Sequence, residues 1–180
     1  MSSFIPGFSN TLNPKAQFYL ELAEDCASLL AGQRNLITNT ANVSSLVYHR
    51  LLETPTREGK PVIWAGFYLS DRKKGDGTLV LGPFQGKPAC TEIAVGKGVC
   101  GTAAKEQRTV VVADVHEFPG HIACDSASKS EIVVPLQSSD GKVHGVFDID
   151  ASVLDAFDDY DRMGLEAIVK MVGEACDFGE

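Results

Sequence analysis

Two stretches near the start of the chain repeat hydrophobic residues at spacings of three and four, which predicts helices with one buried face. The first helix is expected to have Asn13 as its N-cap and Pro14 in its first turn, and to end before Gly32. Its apolar face is predicted to comprise Phe18, Leu22, Cys26, Leu29 and Leu30. The second helix is predicted over residues 36–52, with an apolar face of Leu36, Thr40, Val43, Val47 and Leu51.

The middle of the chain changes to the pattern of β-strands, with β-branched and aromatic residues bounded by Gly, Pro and Asp. A first strand is predicted at P-V-I-W-A-G-F-Y-L, and a polar Asp-Gly turn should pair it with T-L-V-L-G-P-F as a hairpin. Shorter strands are predicted at T-E-I-A-V and T-V-V-V-A-D, with a short helix opening at T-A-A-K-E-Q between them. A second hairpin is predicted from E-I-V-V-P-L and K-V-H-G-V-F-D-I-D, which flank the turn sequence S-S-D-G-K.

A final long helix is predicted to begin at Asp155 as its cap and to end at Cys176. Its apolar side would repeat Phe157, Tyr160, Gly164, Leu165, Ile168 and Val172. Helices at both ends of a run of mostly antiparallel strands favour an α+β fold over a doubly wound parallel sheet. We expect the N- and C-terminal helices to pack on one face of the central sheet, which leaves the loop-rich opposite face for a pocket.

Composition narrows the class of protein. The chain has 180 residues with 44% hydrophobic content, which suits one domain over residues 1–180, with residues 1–12 as an irregular extension. The formal charge of −8 and the scattered Lys and Arg residues argue against nucleic acid as a partner. The longest apolar run, Val62 to Leu69, is far shorter than a membrane span, so we expect no membrane partner and a soluble, cytoplasmic protein.

Three of the five cysteines, Cys90, Cys100 and Cys124, fall in glycine-framed loop sequence between Gly82 and Asp150. A cysteine that serves packing is usually placed in the core, as we predict for Cys26. Loop cysteines favour redox chemistry, in which an accessible thiolate attacks a substrate, becomes a sulfenic acid and is rescued by a second thiol as a disulfide.

Carboxylates and aromatic rings accompany these thiols. Glu131, Asp148 and Asp150 lie at the ends of the second predicted hairpin, and F-D-I-D places two acids inside an otherwise apolar strand. Three carboxylates around a pocket could bind an ammonium group and, with one protonated, donate a proton to an oxygen. Trp64 and Tyr68 share a strand face with the intervening glycine, which would leave room for a ligand between the rings unless both rings are plain core.

The sequence gives weaker support to three other kinds of site. G-K-G-V-C-G matches a dinucleotide fingerprint, but the helix expected after it is too short for a βαβ crossover, so its glycines are predicted to form a tight loop whose amides line a small pocket. Cys90, Cys100, His121 and Cys124 could supply four zinc ligands, yet no tight knuckle is present. A Cys-His-Asp hydrolase lacks any recognisable nucleophile elbow.

A resemblance to a known family rests on the motifs G-P-F-Q-G-K-P-A-C, G-K-G-V-C-G-T-A-A, F-P-G-H-I-A-C-D, K-S-E-I-V-V-P, G-V-F-D-I-D and W-A-G-F-Y. These segments resemble the free methionine-(R)-sulfoxide reductases, which are single GAF-domain proteins. The resemblance extends from about the second helix to the last. It implies a GAF-like fold, with a small pocket enclosed by an antiparallel sheet and helices packed on one side.

The resemblance also implies an activity and a set of roles. Cys124 would attack the sulfoxide sulfur, Cys90 would resolve the sulfenic acid as a disulfide, and thioredoxin would reduce that disulfide. Cys100 would be an auxiliary or alternative resolving cysteine, and whether it is instead the nucleophile stays open. His121 could lower the pKa of the neighbouring thiol.

The substrate of this family is free methionine-(R)-sulfoxide, with Trp64 and Tyr68 as the aromatic wall for its S-methyl group. Glu131, Asp148 and Asp150 would hold the amino group and assist protonation of the sulfoxide oxygen. No cofactor and no metal are expected, and a homodimer stays open as the oligomeric state. The alternatives are a non-catalytic GAF sensor, although no N-K-x-D-E box of cyclic-nucleotide binders is found, and a redox switch that forms its disulfide without a substrate.

Overall fold

Two capped helices open the fold, as the sequence predicts. The computed structural model describes residues 13–54, 59–71, 77–120 and 126–179. Helix α1 (Pro14–Leu30) is capped by Asn13, whose side chain accepts from the amides of Lys15 and Ala16. Helix α2 (Leu36–Glu53) is capped by Asn35, which accepts from the amide of Thr38. The side-chain oxygen of each Asn satisfies amides that have no partner within the helix.

The buried faces of these helices match the prediction at most positions. The exception is Leu29, which is 42% exposed, whereas its neighbour Leu30 is buried. Adjacent helical residues point about 100° apart, so only one of the two leucines can face the core. Placing both on one face was therefore wrong, and Leu36 is also only partly buried.

Six strands form one antiparallel sheet among the described residues, so the predicted α+β class is confirmed. The strands are β1 (Val62–Ser70), β2 (Thr78–Gly86), β3 (Glu92–Ala94), β4 (Val110–Val112), β5 (Ser130–Gln137) and β6 (Val143–Ala151). Their spatial order is β3-β2-β1-β6-β5-β4. Both predicted hairpins are present, as β1 with β2 and as β5 with β6. The two hairpins join through the central β1–β6 pair, which sets the two predicted site strands side by side.

The last two helices begin at different residues from those predicted. Helix α3 (Gly98–Glu106) begins four residues earlier than T-A-A-K-E-Q, so Cys100 lies in its first turn and not in a loop. Helix α4 (Asp159–Ala175) begins after Asp155, which has a positive φ of 51° and lies in the preceding turn. The cap is Asp158, which forms a capping box with Asp161. This reciprocal pair of hydrogen bonds decides the start among several nearby Asp residues.

Helices α1, α2 and α4 cover one face of the sheet, as expected. Helices α1 and α4 approach closely because Gly164 packs directly on the Tyr19 ring, where an added Cβ would lie 2.2 Å from ring carbons. Below this contact, the buried carboxylate of Asp161 accepts from the Tyr19 hydroxyl at 2.7 Å and pairs with Lys15 Nζ. The terminal helices are thereby held to each other as well as to the sheet.

The opposite face of the sheet carries a second, smaller cluster formed with helix α3, and it includes Trp64, Tyr68 and Cys100. On the helical side, Cys26 is a buried free thiol, as predicted for a packing residue, and Cys176 is a buried free thiol as well. Throughout the described ranges, the structure contains no helix with the length and hydropathy needed to cross a membrane.

Candidate active site

A cavity lies between the α3-side face of the sheet and the loop after β2. It measures about 40 Å³. Its wall brings together six of the eight residues predicted for the site: Trp64, Tyr68, Cys100, Glu131, Asp148 and Asp150. Lys87, Pro88 and Ala89 line it from the loop side. The sheet therefore gathers side chains that are up to 86 positions apart in the sequence.

The pairing of β5 with β6 places the three carboxylates together. Glu131 lies directly opposite Asp150, and Asp148 is two residues along on the same face. Glu131 and Asp148 are each only 6% exposed, whereas Asp150 is partly exposed. Ser128 donates a hydrogen bond of 2.5 Å to Asp150, while Oδ1 of Asp148 has no hydrogen-bond partner among the described residues. The cluster thus keeps a buried oxygen atom without a hydrogen-bond partner in the described part of the chain.

Burial of this cluster shifts its protonation. Loss of water raises the pKa of Glu131 well above its usual range, and the negative charges of Asp148 and Asp150 raise it further. The pKa of Asp148 is raised in the same way, first by burial and then by the charge of Asp150. Protonated carboxyl groups therefore persist in the cavity at a higher pH than in water, which suits proton donation.

Cys100 projects from the first turn of α3 into the same cluster and is 4% exposed. Its Sγ lies 3.8 Å from Oε1 of Glu131. Burial raises the pKa of the Cys100 thiol well above its usual value, and the charges of Asp148 and Glu131 add to the shift. Cys100 is therefore a protonated thiol at neutral pH, in contrast to the accessible loop thiolate that the sequence suggested.

The aromatic wall is a stack of three rings. Trp64 lies parallel to Tyr68 with centroids 5.8 Å apart, and parallel to Phe84 with centroids 5.3 Å apart. The indole N–H of Trp64 donates to the carbonyl of Lys87, which anchors the ring to the loop before Cys90.

The expectation of a ligand between the Trp64 and Tyr68 rings is wrong. A Cβ at Gly66 would lie 2.7 Å from the Trp64 ring and 2.3 Å from Cβ of Phe84, so the glycine makes room for protein side chains. The gap between the rings is also too narrow for an inserted group, because two van der Waals contacts would require about 7 Å. A ligand would instead contact the cavity side of the stack.

The glycine motif forms a turn and a helix start, and only partly the predicted tight loop. Gly96 lies in the turn with a φ of 84°, whereas Gly98 and Gly101 belong to α3. Gly101 packs against the end of β3, where a Cβ would lie 2.3 Å from the Ala94 carbonyl oxygen. Close packing of α3 on the sheet therefore requires a glycine at position 101.

Of the two remaining predicted catalytic cysteines, Cys90 lies within the described residues and Cys124 does not. Cys90 is disulfide-bonded and partly buried, and it packs beside the aromatic cluster immediately after the cavity-lining loop. Cys124 and His121 lie outside the described residues. Because Cys90 is not a free thiol in this structure, it cannot act here as one of the four zinc ligands considered from the sequence.

Sequence reasoning missed several residues of the site, among them Ser128 and Phe84. Ser128 is buried and holds the Asp150 carboxylate, and Phe84 extends the aromatic stack. Phe84 could have been found from the predicted hairpin, because strand pairing places it directly opposite Gly66. Ser128 gave no signal, since a serine before a strand is most often a turn residue.

One subset of the lining could hold a metal ion. Cys100, Glu131 and Asp148 each offer a ligand atom, and these atoms lie within 4.8 Å of one another.

Comparisons with known proteins agree with this fold and site. The GAF domain family matches residues 47–177. The free methionine-R-sulfoxide reductase of Saccharomyces cerevisiae is 44% identical over 171 residues, covering 95% of this chain and 92% of the relative. The Escherichia coli protein of the same name is 47% identical over 155 residues, covering 86% of each. The X-ray structure of the Neisseria meningitidis free methionine-R-sulfoxide reductase in complex with its substrate is 40% identical, with a TM-score of 0.80 and coverage of 89% of each chain.

Identity at this level over nearly the whole of both chains is far above what a shared fold alone requires. The chain belongs to the GAF-domain family and, within it, to the free methionine-R-sulfoxide reductases.

Proposed function

We propose that this protein reduces free L-methionine-(R)-sulfoxide to L-methionine. The observation that carries the proposal is the cavity in which buried Glu131 and Asp148, with Asp150, lie beside a stacked aromatic wall. Acidic groups and aromatic rings in one small cavity suit a small zwitterion that has an ammonium group at one end and an S-methyl group at the other. Relatives that bear the reductase name cover nearly the whole chain.

The carboxylates bind the substrate's ammonium group and supply a proton. Asp150, partly exposed and held by Ser128, is suited to stay ionised and to pair with the ammonium group. Glu131, whose pKa is raised by burial, is suited to protonate the sulfoxide oxygen. The S-methyl group would rest on the cavity side of Trp64 and Tyr68.

Cys124 acts as the nucleophile in this proposal. Its thiolate attacks the sulfoxide sulfur, the oxygen takes up protons and is transferred to the cysteine, and methionine leaves with Cys124 as a sulfenic acid. Cys90 then attacks the sulfenic sulfur, which releases water and forms a disulfide. A dithiol of the thioredoxin class reduces that disulfide, so each turnover consumes two electrons from the reductant.

Two observations support this division among the cysteines. Cys100 is buried among carboxylates that hold its thiol protonated, which disfavours it as a nucleophile. Cys90 is already disulfide-bonded, whereas Cys26, Cys100 and Cys176 are free thiols. We assign Cys100 an auxiliary role and regard the whole chain from residue 13 onward as one catalytic domain.

The decisive experiment is an assay of each substrate epimer. Purified protein is incubated with dithiothreitol and either the R or the S epimer of free methionine sulfoxide, and the methionine formed is measured. We expect turnover of the R epimer and at least about a hundredfold less with the S epimer. Absence of turnover with the R epimer would overturn the proposal in favour of a sensor or a redox switch.

The reductant is tested separately. We expect the protein to support NADPH oxidation in the presence of thioredoxin and thioredoxin reductase only when the R sulfoxide is added. Turnover with dithiothreitol but none with thioredoxin would leave the reductase activity intact and contradict thioredoxin as the partner.

A further inference from the structure

The site contains a donor set larger than an ammonium group requires. A substrate ammonium group needs carboxylates, but it gains little from a buried thiol between them. Here Sγ of Cys100 lies 3.8 Å from Oε1 of Glu131, and it forms with Asp148 a group whose ligand atoms are all within 4.8 Å of one another. Binding of an ammonium group therefore does not explain why the Cys100 thiol lies among the carboxylates.

A second observation at the same place points to a cation. Asp148 is only 6% exposed, it lines the cavity, and its Oδ1 lacks a hydrogen-bond partner among the described residues. A buried carboxylate oxygen without a partner is costly and is usually satisfied by a bound group.

The spacing suits a tetrahedral metal ion. Zinc binds thiolate sulfur at about 2.3 Å and carboxylate oxygen at about 2.0–2.2 Å, which separates such ligands by about 3.5 Å. The observed 3.8 Å between Sγ and Oε1 is close to this spacing. Thiolate is a soft ligand that selects Zn²⁺ and similar ions over Mg²⁺ and Ca²⁺.

We propose that Cys100, Glu131 and Asp148 form a binding site for a thiophilic divalent cation of the zinc class, and that this cation excludes the substrate. Its three ligands would come from α3, β5 and β6, with the fourth position open to the cavity. Because the cation would occupy Glu131 and Asp148 beside Asp150 in one small cavity, its charge and volume would oppose entry of the substrate's ammonium group. The competition with substrate rests on the function proposed above, whereas the metal site itself does not.

Cobalt provides a direct probe of the site. The 180-residue chain is used with its Cys90 disulfide intact and without thiol reagents, so that Cys100 is free while Cys90 cannot bind the metal. On titration with Co²⁺ we expect one equivalent to bind with a near-ultraviolet thiolate-to-cobalt charge-transfer band, which Zn²⁺ displaces and Mg²⁺ does not. A wild-type protein that develops no such band would overturn the proposal.

Substitutions at the three residues test whether each one binds the cation. Cys100→Ser should abolish the band, and Asp148→Asn and Glu131→Gln should each weaken Co²⁺ binding by about tenfold or more. The matched control is Cys26→Ser, which alters a buried free thiol on the opposite side of the sheet and should leave the band unchanged. Circular dichroism checks each fold, and if Cys100→Ser fails to fold, the two isosteric carboxyl variants decide. A band that persists in folded Cys100→Ser, or wild-type affinity in both carboxyl variants, contradicts the site.

Competition with substrate is measured on the same cobalt complex. Added L-methionine-(R)-sulfoxide should raise the apparent Kd for Co²⁺ in proportion to its concentration. In the thioredoxin-coupled assay, Zn²⁺ should inhibit and EDTA should restore activity. A protein that binds Co²⁺ through Cys100 but never turns over the sulfoxide would refute the proposed reductase function and leave the metal site standing. Simultaneous binding of cobalt and sulfoxide without mutual effect would contradict exclusion.

Discussion

The two faces of the sheet use the same strands for opposite purposes. Strand β6 sends Phe147 and Ile149 to the helix-covered face, where both are fully buried among apolar neighbours. The alternate residues Asp148 and Asp150 point to the α3 side and line the cavity. One nine-residue strand thus supplies both the centre of the core and two carboxylates of the site.

The contrast between the two faces explains how a buried acidic cluster is tolerated. The helix-covered face has complementary packing, including the Phe67–Phe147 stack with centroids 4.4 Å apart. The α3 face instead holds Glu131 and Asp148 away from water with raised pKa values, which opposes folding at neutral pH. Apolar burial on the helix-covered face offsets the free-energy cost of burying carboxyl groups on the α3 face. Substitutions on the helix-covered face should therefore change mainly stability, and substitutions on the α3 face should change mainly activity.

The largest effect is expected on activity alone, at Cys124. Cys124→Ser should reduce turnover by at least about a thousandfold, because its hydroxyl cannot replace the thiolate nucleophile. Rapid-quench measurement of methionine should show no single-turnover release. Cys90→Ser should still release about one equivalent but fail to recycle with thioredoxin. A stoichiometric burst from Cys124→Ser would move the nucleophile to another cysteine.

The largest effect on stability is expected at Phe147. Phe147→Ala should lower the free energy of unfolding by about 3–5 kcal/mol, because it opens a cavity in the core beside Phe67. Urea denaturation measures this loss. Val111→Ala, at a strand position that is 40% exposed, is the control and should change stability by less than about 0.5 kcal/mol. A loss below about 1 kcal/mol at Phe147 would mean that the two faces contribute more evenly than we infer.

A smaller effect on activity is expected at Glu131. Glu131→Gln should reduce kcat by about a hundredfold, because the amide cannot donate a proton to the sulfoxide oxygen. The melting temperature should stay the same or rise, since the amide resembles the protonated carboxyl group and cannot ionise in the buried site. Glu117→Gln, at an exposed carboxylate that does not line the cavity, should leave kcat unchanged. Unchanged kcat with a lowered melting temperature would assign Glu131 to structure.

The smallest effect is a gain in stability at Asp148. Its pKa is raised in the folded state by burial, so folding favours the protonated form; this stability is present in acid and is lost as pH rises through the folded pKa. In EDTA at pH 8, Asp148→Asn should raise the melting temperature by about 2–4 °C, which corresponds to a gain of about 1 kcal/mol in the free energy of unfolding. The gain should vanish near pH 4.

An exposed carboxylate gives the opposite sign. The pKa of Asp140 is lowered, chiefly by a hydrogen bond from Ser138, so its ionised form favours folding. Asp140→Asn should therefore slightly lower the melting temperature at neutral pH, with the difference disappearing as pH falls through the carboxyl pKa. A stability gain in both variants would indicate a general effect of reduced net negative charge and would contradict the role of burial at Asp148.

Local patterns in the sequence predicted the elements well where one signal dominated. Asn13 with Pro14 marked the start of α1, and S-S-D-G-K marked the turn of the β5–β6 hairpin. Where several similar signals lay close together, the prediction failed. Asp155 and Asp158 are equally good caps by composition, and the choice depended on the reciprocal hydrogen bonds of Asp158 with Asp161. Likewise, nothing local decided whether Leu29 or Leu30 would face the core.

Sequence patterns were sufficient to predict the α+β order of elements, the family, and the shared strand face of Asp148 and Asp150, because these depend on short-range periodicity and motif identity. Tertiary packing was needed to show that α3 begins early enough to bury Cys100 against Glu131, that Ser128 holds Asp150, and that Trp64 and Phe84 fill the space over Gly66. Those facts depend on how distant elements pack, and the same packing removes water from the thiol and carboxyl groups and so sets their protonation.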